Sequence, residues 1–336
     1  MVLKKGFLLS AFFLLLTACN RNDKPIIAFY YWKTTFKLSE KEKVTLEENN
    51  VSKIYIRYFD IDLHPKTKVP FPVSPIHFEE KPTAYNTVPV VYLKNQVLLQ
   101  PNLNIDDLAQ KTVNFINTIN QKNNLNGQEI QIDCDWTLAT KTIYLEFIEK
   151  IKKLSHKKLS ATIRLHQVKY FKKTKIPNVD SGVLMYYNIG TISADSSNSI
   201  YEKKIADRYL KSLKKYPLQL NFALPIYSWA VHIKNQKVIG LKSKLNVSEL
   251  QKDTNFVKIK TNYFRAKHAN YKGGTFYEKD DLLKTEAITA AALTEMAEDL
   301  NENSAQAPKE IIFYDLDEFN LNNYEKNIFE QVVSCF

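Results

Sequence analysis

Ile130-Gln-Ile-Asp-Cys-Asp-Trp-Thr137 is the stretch whose reading decides the fold. Side chains alternate across a β-strand, so Gln131, Asp133, Asp135 and Thr137 are expected on one face and Ile130, Ile132, Cys134 and Trp136 on the other. The second face is apolar and suits packing against helices. The first carries two acids, and burying both costs several kcal/mol unless cations, hydrogen bonds or a shared proton compensate. Such a strand reads as one stave of a barrel that delivers carboxylates to a common place.

Working outward, strands alternate with helices along the chain, the pattern of a parallel α/β fold. Strands are expected at 26–32, 53–60, 88–93, 129–136, 158–166, 182–188, 218–227 and 310–316. Eight strands are the number that closes a (β/α)8 TIM barrel. Helices are expected at 39–49, 105–121, 141–154 and 200–215, the second from the spacing of Leu108, Val113, Phe115 and Ile116. The chain exceeds the roughly 250 residues of a typical barrel, so additions are expected in its loops. The largest is 233–309, an insertion between strands seven and eight with a hairpin near Asn235 to Lys237, an aromatic and basic stretch from Tyr263 to Tyr277 and a helix from Thr285 to Leu300. The segment 65–86, with prolines at 65, 70, 72, 75 and 82, reads as a loop over one mouth of the barrel. Residues 26–336 therefore form one domain.

The N-terminus speaks to location. Lys4 and Lys5 precede a largely apolar run from Phe7 to Ala18, which is too short for the roughly 20 residues of a spanning helix and reads as a secretory signal over residues 1–18. Leu16-Thr17-Ala18-Cys19 resembles a bacterial lipobox, which implies cleavage before Cys19 and lipidation of its sulfur, with 19–25 as a polar tether. The expected location is the bacterial cell envelope, lipid-anchored outside the cytoplasm, the outer membrane being favoured. Loss of Lys4 and Lys5 from the 47 basic residues leaves 45 against 36 acidic ones, a net charge of +9. The lysines are spread along the chain, as on a solvated surface, and nothing resembles a nucleic-acid module. Only Cys134 and Cys335 remain besides Cys19, so disulfides are not a framework.

Strand parity can be extended to the other staves. Thr162, Arg164 and His166 should point inward, as should Arg57, making Arg164 and Arg57 plausible counter-ions for Asp133 and Asp135. Tyr227 should face the interior, with Trp229 beyond it on the same side, while Trp136 should pack against the helices. No close-spaced histidine cluster accompanies the acids, so neither a metal nor a cofactor is expected. A structural ion network filling a narrow barrel is the alternative reading of these charges.

Ile130 to Thr137 is similar to the D-G-x-D-x-D-W-E motif on the fourth strand of family 18 glycoside hydrolases, the chitinase-like barrels. Leu184-Met-Tyr-Tyr-Asn188 resembles the family's M-x-Y-D on strand six, Leu224-Pro-Ile-Tyr227 its L-P-x-Y on strand seven, and Ile312-Phe-Tyr-Asp-Leu316 its M-x-W-x-L on strand eight. Phe29-Tyr-Tyr-Trp32 is a weaker match to the aromatic cluster of strand one. The four motifs fall in register and span most of residues 26–320. The resemblance implies that Asp133 and Asp135 are the supporting carboxylates, Tyr187 the assisting tyrosine and Tyr227 the strand-seven aromatic, with Tyr314 replacing the tryptophan beneath the sugar. It also implies that Thr137 stands where the family carries its general acid, a glutamate, and Asn188 where it carries an aspartate. A hydroxyl cannot supply the proton, and general acid catalysis is typically worth about 10²- to 10⁴-fold.

Two functions follow. One is a glycan-binding cleft using Tyr187, Tyr227, Trp229 and Tyr314 as platforms, with Asp133, Asp135, Asn188, Arg164 and His166 as polar partners. The other is a glycoside hydrolase whose proton donor is Asp135, His166 or an acid from another loop, such as Asp60, Asp315 or Asp317. A non-carbohydrate structural lipoprotein is the third possibility, since fold does not fix function. Oligomeric state is not legible.

Overall fold

The computed structural model describes residues 24–336; the signal segment, Cys19 and most of the tether lie outside the described residues. Eight parallel strands close into a barrel: β1 (Ile26–Tyr31), β2 (Lys53–Leu63), β3 (Asn86–Leu93), β4 (Glu129–Asp133), β5 (Lys158–Ile163), β6 (Ser181–Met185), β7 (Leu220–Pro225) and β8 (Glu310–Tyr314). Each pairs with its sequence neighbour, and β1 pairs with both β2 and β8, which joins the edges. The expected (β/α)8 architecture is the one observed.

Helices Glu40–Glu48, Ile105–Asn123, Lys141–Ser155 and Lys203–Leu210 cover the outside. The first opens with a capping box: the Ser39 hydroxyl accepts from the Glu42 N–H, and Glu42 accepts in return from the Ser39 N–H at 3.0 Å. Ile105–Asn123 buries Leu108, Val113 and Ile116 against the barrel, as its spacing required, and ends at Asn124 in the left-handed conformation. The expected helix at 200–215 is shorter, a helix over Lys203–Leu210 followed by a single 3-10 turn at Leu213–Lys215.

The barrel is filled at its N-terminal end by polar side chains that satisfy one another. Lys53 Nζ donates to Glu129 and Glu310, each at 2.7 Å, and the Tyr55 hydroxyl donates to Glu310 at 2.7 Å. Ser160 donates to Glu129, and Gln131 bridges the Tyr30 hydroxyl at 2.6 Å to Ser160. Burial alone would pull the Lys53 pKa down, but the carboxylates of Glu310 and Glu129 hold it above the ordinary lysine value. An ion network of other residues than those read from the sequence therefore fills the opposite end of the barrel from Asp133 and Asp135.

The inserted region starts earlier than 233, directly after β7. A five-stranded antiparallel sheet contains, in spatial order, Lys237–Ser243, Ser228–Lys234, Leu282–Ala287, Tyr263–Ala266 and Phe256–Lys260. Its first hairpin turns at Asn235-Gln236, both with positive φ, which suits the right-handed strand twist. Thr285 to Ala287 belongs to a strand, and the helix expected from Thr285 runs over Ala290–Asn303 instead. Within the expected loop 65–86, Pro70–Val73 pairs antiparallel with the far end of β2. Cys134 and Cys335 are free thiols.

Candidate active site

The strands end sooner than their alternation suggested, and the candidate residues sit where they end. β4 stops at Asp133, where the next amide, that of Cys134, is taken by the Thr162 hydroxyl rather than by a neighbouring strand. Asp135 therefore stands on a loop, yet it lines the same cavity as Asp133. Thr137 does not share their face. Its N–H donates to the Thr140 hydroxyl at 2.9 Å in the turn before helix Lys141–Ser155, and its exposed side chain lies outside the cavity lining. Trp136 is buried and stacked on Tyr144 with ring centroids 4.4 Å apart, as core packing requires.

β5 likewise stops at Ile163. The Arg164 amide donates to the Gln167 side chain at 2.8 Å, which starts the short helix Leu165–Lys169. Arg164 still reaches inward and pairs with Asp135 through Nε at 2.5 Å and Nη2 at 3.2 Å. His166 is carried out on the helix and is exposed, so it does not reach this cavity; it borders a neighbouring recess. Arg57 is not a counter-ion of Asp133 or Asp135. It donates to Asp60 at 2.7 Å and to the Ser74 carbonyl at 3.1 Å, beside a register shift in β2.

The cavity has a volume of about 340 Å³ and opens at the C-terminal mouth of the barrel, the end where barrel enzymes place their chemistry. Its aromatic walls are Trp32, Tyr92, Tyr187, Tyr227, Trp229 and Tyr314. Tyr187 and Tyr314 are stacked at 5.3 Å and 21°, and Tyr227 meets both edge-on. Burial, foremost, raises the phenol pKa of all three, so they remain neutral hydroxyls. The Tyr227 hydroxyl donates to Asn188 at 2.6 Å, and Asn188 takes a positive φ that asparagine tolerates well. The Tyr187 hydroxyl points to the Met185 sulfur at 3.4 Å.

Three carboxyls line this space, and each has a different setting. Asp133 accepts from the Thr162 hydroxyl at 2.7 Å; burial, against the opposing pull of Arg164, pushes its pKa up to about 6. Asp135 is paired with Arg164. Asp315, just past β8, accepts from the Asn320 amide at 2.5 Å, and burial followed by the nearby Asp317 charge pushes its pKa up to about 6. A recess of about 400 Å³ adjoins the cavity, sharing Asp135, Arg164, Met185, Tyr187 and Asn188 and adding His166 and Tyr209. The Arg164–Asp135 pair thus stands between two halves of one groove.

The insertion completes the wall. Trp229 lies on strand Ser228–Lys234 rather than on β7, and its indole N–H donates to Glu286 at 2.8 Å. The same carboxylate accepts from the Ser199 amide at 3.0 Å and from its hydroxyl, and it pairs with Lys284 at 2.6 Å. Lys244, at the end of strand Lys237–Ser243, also borders the cavity and pairs with Asp317 at 2.7 Å. The candidate residues from sequence omitted Trp32, Tyr92, Lys244 and Asn320. Parity on β3 could have found Tyr92, which follows the inward face of its strand, whereas Lys244 and Asn320 arrive through the insertion and the segment after β8.

No protein-family model and no curated protein matches the sequence, so likeness rests on the fold. A family 18 chitinase from Cycas revoluta, solved in complex with (GlcNAc)4, superimposes with a TM-score of 0.55 at 11% identity, covering 92% of this chain and 98% of that one. A class V chitinase from Nicotiana tobaccum superimposes with a TM-score of 0.53 at 9% identity, covering 93% and 98%. The fold is that of the family 18 chitinases. At this identity the chitinase likeness extends to the barrel architecture, and chemistry must be argued from the cavity itself.

Proposed function

We propose that this chain is a glycan-binding protein whose ligand lies in the groove at the C-terminal mouth of the barrel, and that it is tethered to the cell envelope, with the outer membrane favoured, through a lipid on Cys19. The observation that carries the reading is the convergence of six aromatic rings with Asp133, Asp135, Arg164 and Asn188 on one open cavity. Sugars present apolar faces rimmed by hydroxyls, so a site for them needs rigid aromatic surface beside fixed donors and acceptors. Trp32, Tyr227, Trp229 and Tyr314 keep part of their surface accessible and can serve as that surface. The chitinase-like fold and the oligosaccharide bound to the Cycas protein support the choice of ligand class.

A glycan array probed with the full chain tests the reading. Binding to a defined set of oligosaccharides is expected, with Trp229→Ala and Tyr314→Ala each weakening it about ten-fold. Absence of binding across the array would overturn it. Thr137→Glu is expected to bring no gain of hydrolysis on chitin oligosaccharides, because the side chain at 137 lies outside the cavity lining; appearance of chitinase activity in that variant would show that the loop can swing inward. Mass spectrometry of the membrane fraction should find an acylated Cys19, and Cys19→Ala should release the protein.

A further inference from the structure

In a ring of eight strands, β8 stands four places from β4 and so faces it across the mouth. Asp315 follows the last residue of β8, as Asp135 closely follows the end of β4, and both carboxyls line the one cavity. Of the other acids near the mouth, Asp135 is engaged by Arg164, Asp60 by Arg57, Asp62 by Lys94, and Asp317 by Lys244 and Lys33, while Asp133, also without an ion pair, ends β4 on the Asp135 side and accepts from the Thr162 hydroxyl. Among the described residues no Lys, Arg or His nitrogen forms an ion pair with Asp315, whose side-chain partner is the neutral amide of Asn320. A carboxyl largely withdrawn from water, with no cation in direct contact, keeps its proton more readily than a solvated one.

We propose that Asp315 is the proton donor of a glycoside hydrolase, acting against the Asp135 carboxylate on the opposite side of the cleft. As the bond between the sugar carbon and the glycosidic oxygen breaks, the Asp315 proton passes to that oxygen and the leaving alcohol departs neutral. Water bonds to the sugar carbon and gives a proton to Asp135, and solvent exchange restores both groups, so one glycoside and one water yield one free sugar, a hemiacetal, and one alcohol. A carboxylate pair that supplies both acid and base asks nothing of the substrate's 2-substituent, so the substrate class includes sugars lacking an N-acetyl group. The inference rests on reading the cavity as a glycan cleft.

The test compares 2,4-dinitrophenyl and methyl glycosides of glucose, galactose, mannose and xylose on the full chain. A dinitrophenolate leaves without a proton, whereas methoxide needs one. Asp315→Asn is expected to lower methyl-glycoside turnover about 10²- to 10⁴-fold while dinitrophenyl turnover changes little, and Asp315→Glu to restore part of the loss. In the parent, methyl-glycoside turnover should fall as the pH rises through about 6, the pKa to which burial pushes Asp315, and this limb should vanish for dinitrophenyl substrates in Asp315→Asn. Equal loss on both substrates, or a parent that binds glycans on the array but hydrolyses neither class, would overturn the proposal while leaving the binding cleft intact. A parent that binds no glycan at all would remove the cleft reading beneath it.

Discussion

Lys53→Ala is expected to destabilise the fold by about 3–5 kcal/mol, read as a lowered urea midpoint. Lys53 Nζ is the cation between Glu129 on β4 and Glu310 on β8, at 2.7 Å from each. All three side chains are largely buried inside the barrel, so truncating the lysine leaves two carboxylates that water cannot reach well. The loss is mainly the desolvation of those two charges and only partly the pair itself. The combination Lys53→Met with Glu129→Gln and Glu310→Gln should therefore recover much of the deficit. If Lys53→Ala unfolds at the parent's midpoint, the network at the closed end of the barrel contributes nothing to its stability.

Asp133→Asn should act in the opposite direction, and in a way that depends on pH. Burial raises the Asp133 pKa to about 6 in the folded chain, against about 3.9 for an aspartate in an unfolded one. A raised folded pKa means that folding favours the protonated form. The stabilisation is fully present below about pH 4 and is lost as the pH climbs through about 6. Above that point the ionised carboxylate costs the native state on the order of 3 kcal/mol. Asparagine keeps an acceptor for the Thr162 hydroxyl and removes the charge, so the variant should match the parent at pH 4 and exceed its stability at pH 8 by about this amount. Urea unfolding at the two pH values measures it, and equal stabilities at pH 8 would show that Asp133 is better solvated than its burial indicates. An acid kept at such a cost beneath an open cavity is consistent with selection for ligand contact over stability.

The alternation of apolar and polar residues located all eight staves, because each has one face against helices and a ladder on both sides. It failed at the strand ends. Nothing in Ile130 to Thr137 reveals that the Cys134 amide will be taken by the Thr162 hydroxyl, some thirty residues on, rather than by a neighbouring carbonyl. Arg164 similarly looks like strand until the Gln167 side chain caps its amide and turns the chain into a helix. Since the candidate residues cluster at these ends, parity placed Asp133 and Tyr227 correctly but misplaced Thr137 and His166, while Tyr187 came from the strand-six resemblance alone. Arg57 was legible as inward-facing, whereas its engagement by Asp60 lies beside the shifted pairing in β2, which no local pattern encodes. Trp229 was recognised as a cleft residue but assigned to the run-out of β7, because the inserted sheet begins only three residues past that strand.

Glu286 has a further consequence through its hold on both Trp229 and Ser199. One carboxylate clamps the first strand of the insertion to the loop following β6, and Lys284 fastens that loop again through the Ser197 carbonyl at 2.9 Å. An added subdomain attached in this way has no free hinge at the groove, so its backbone amides near Ser199 and Trp229 should exchange slowly with deuterated solvent whether or not a ligand is present. Recognition would then incur little ordering entropy on the protein side and behave as docking to a preformed surface, with selectivity set by groove shape more than by closure around the guest.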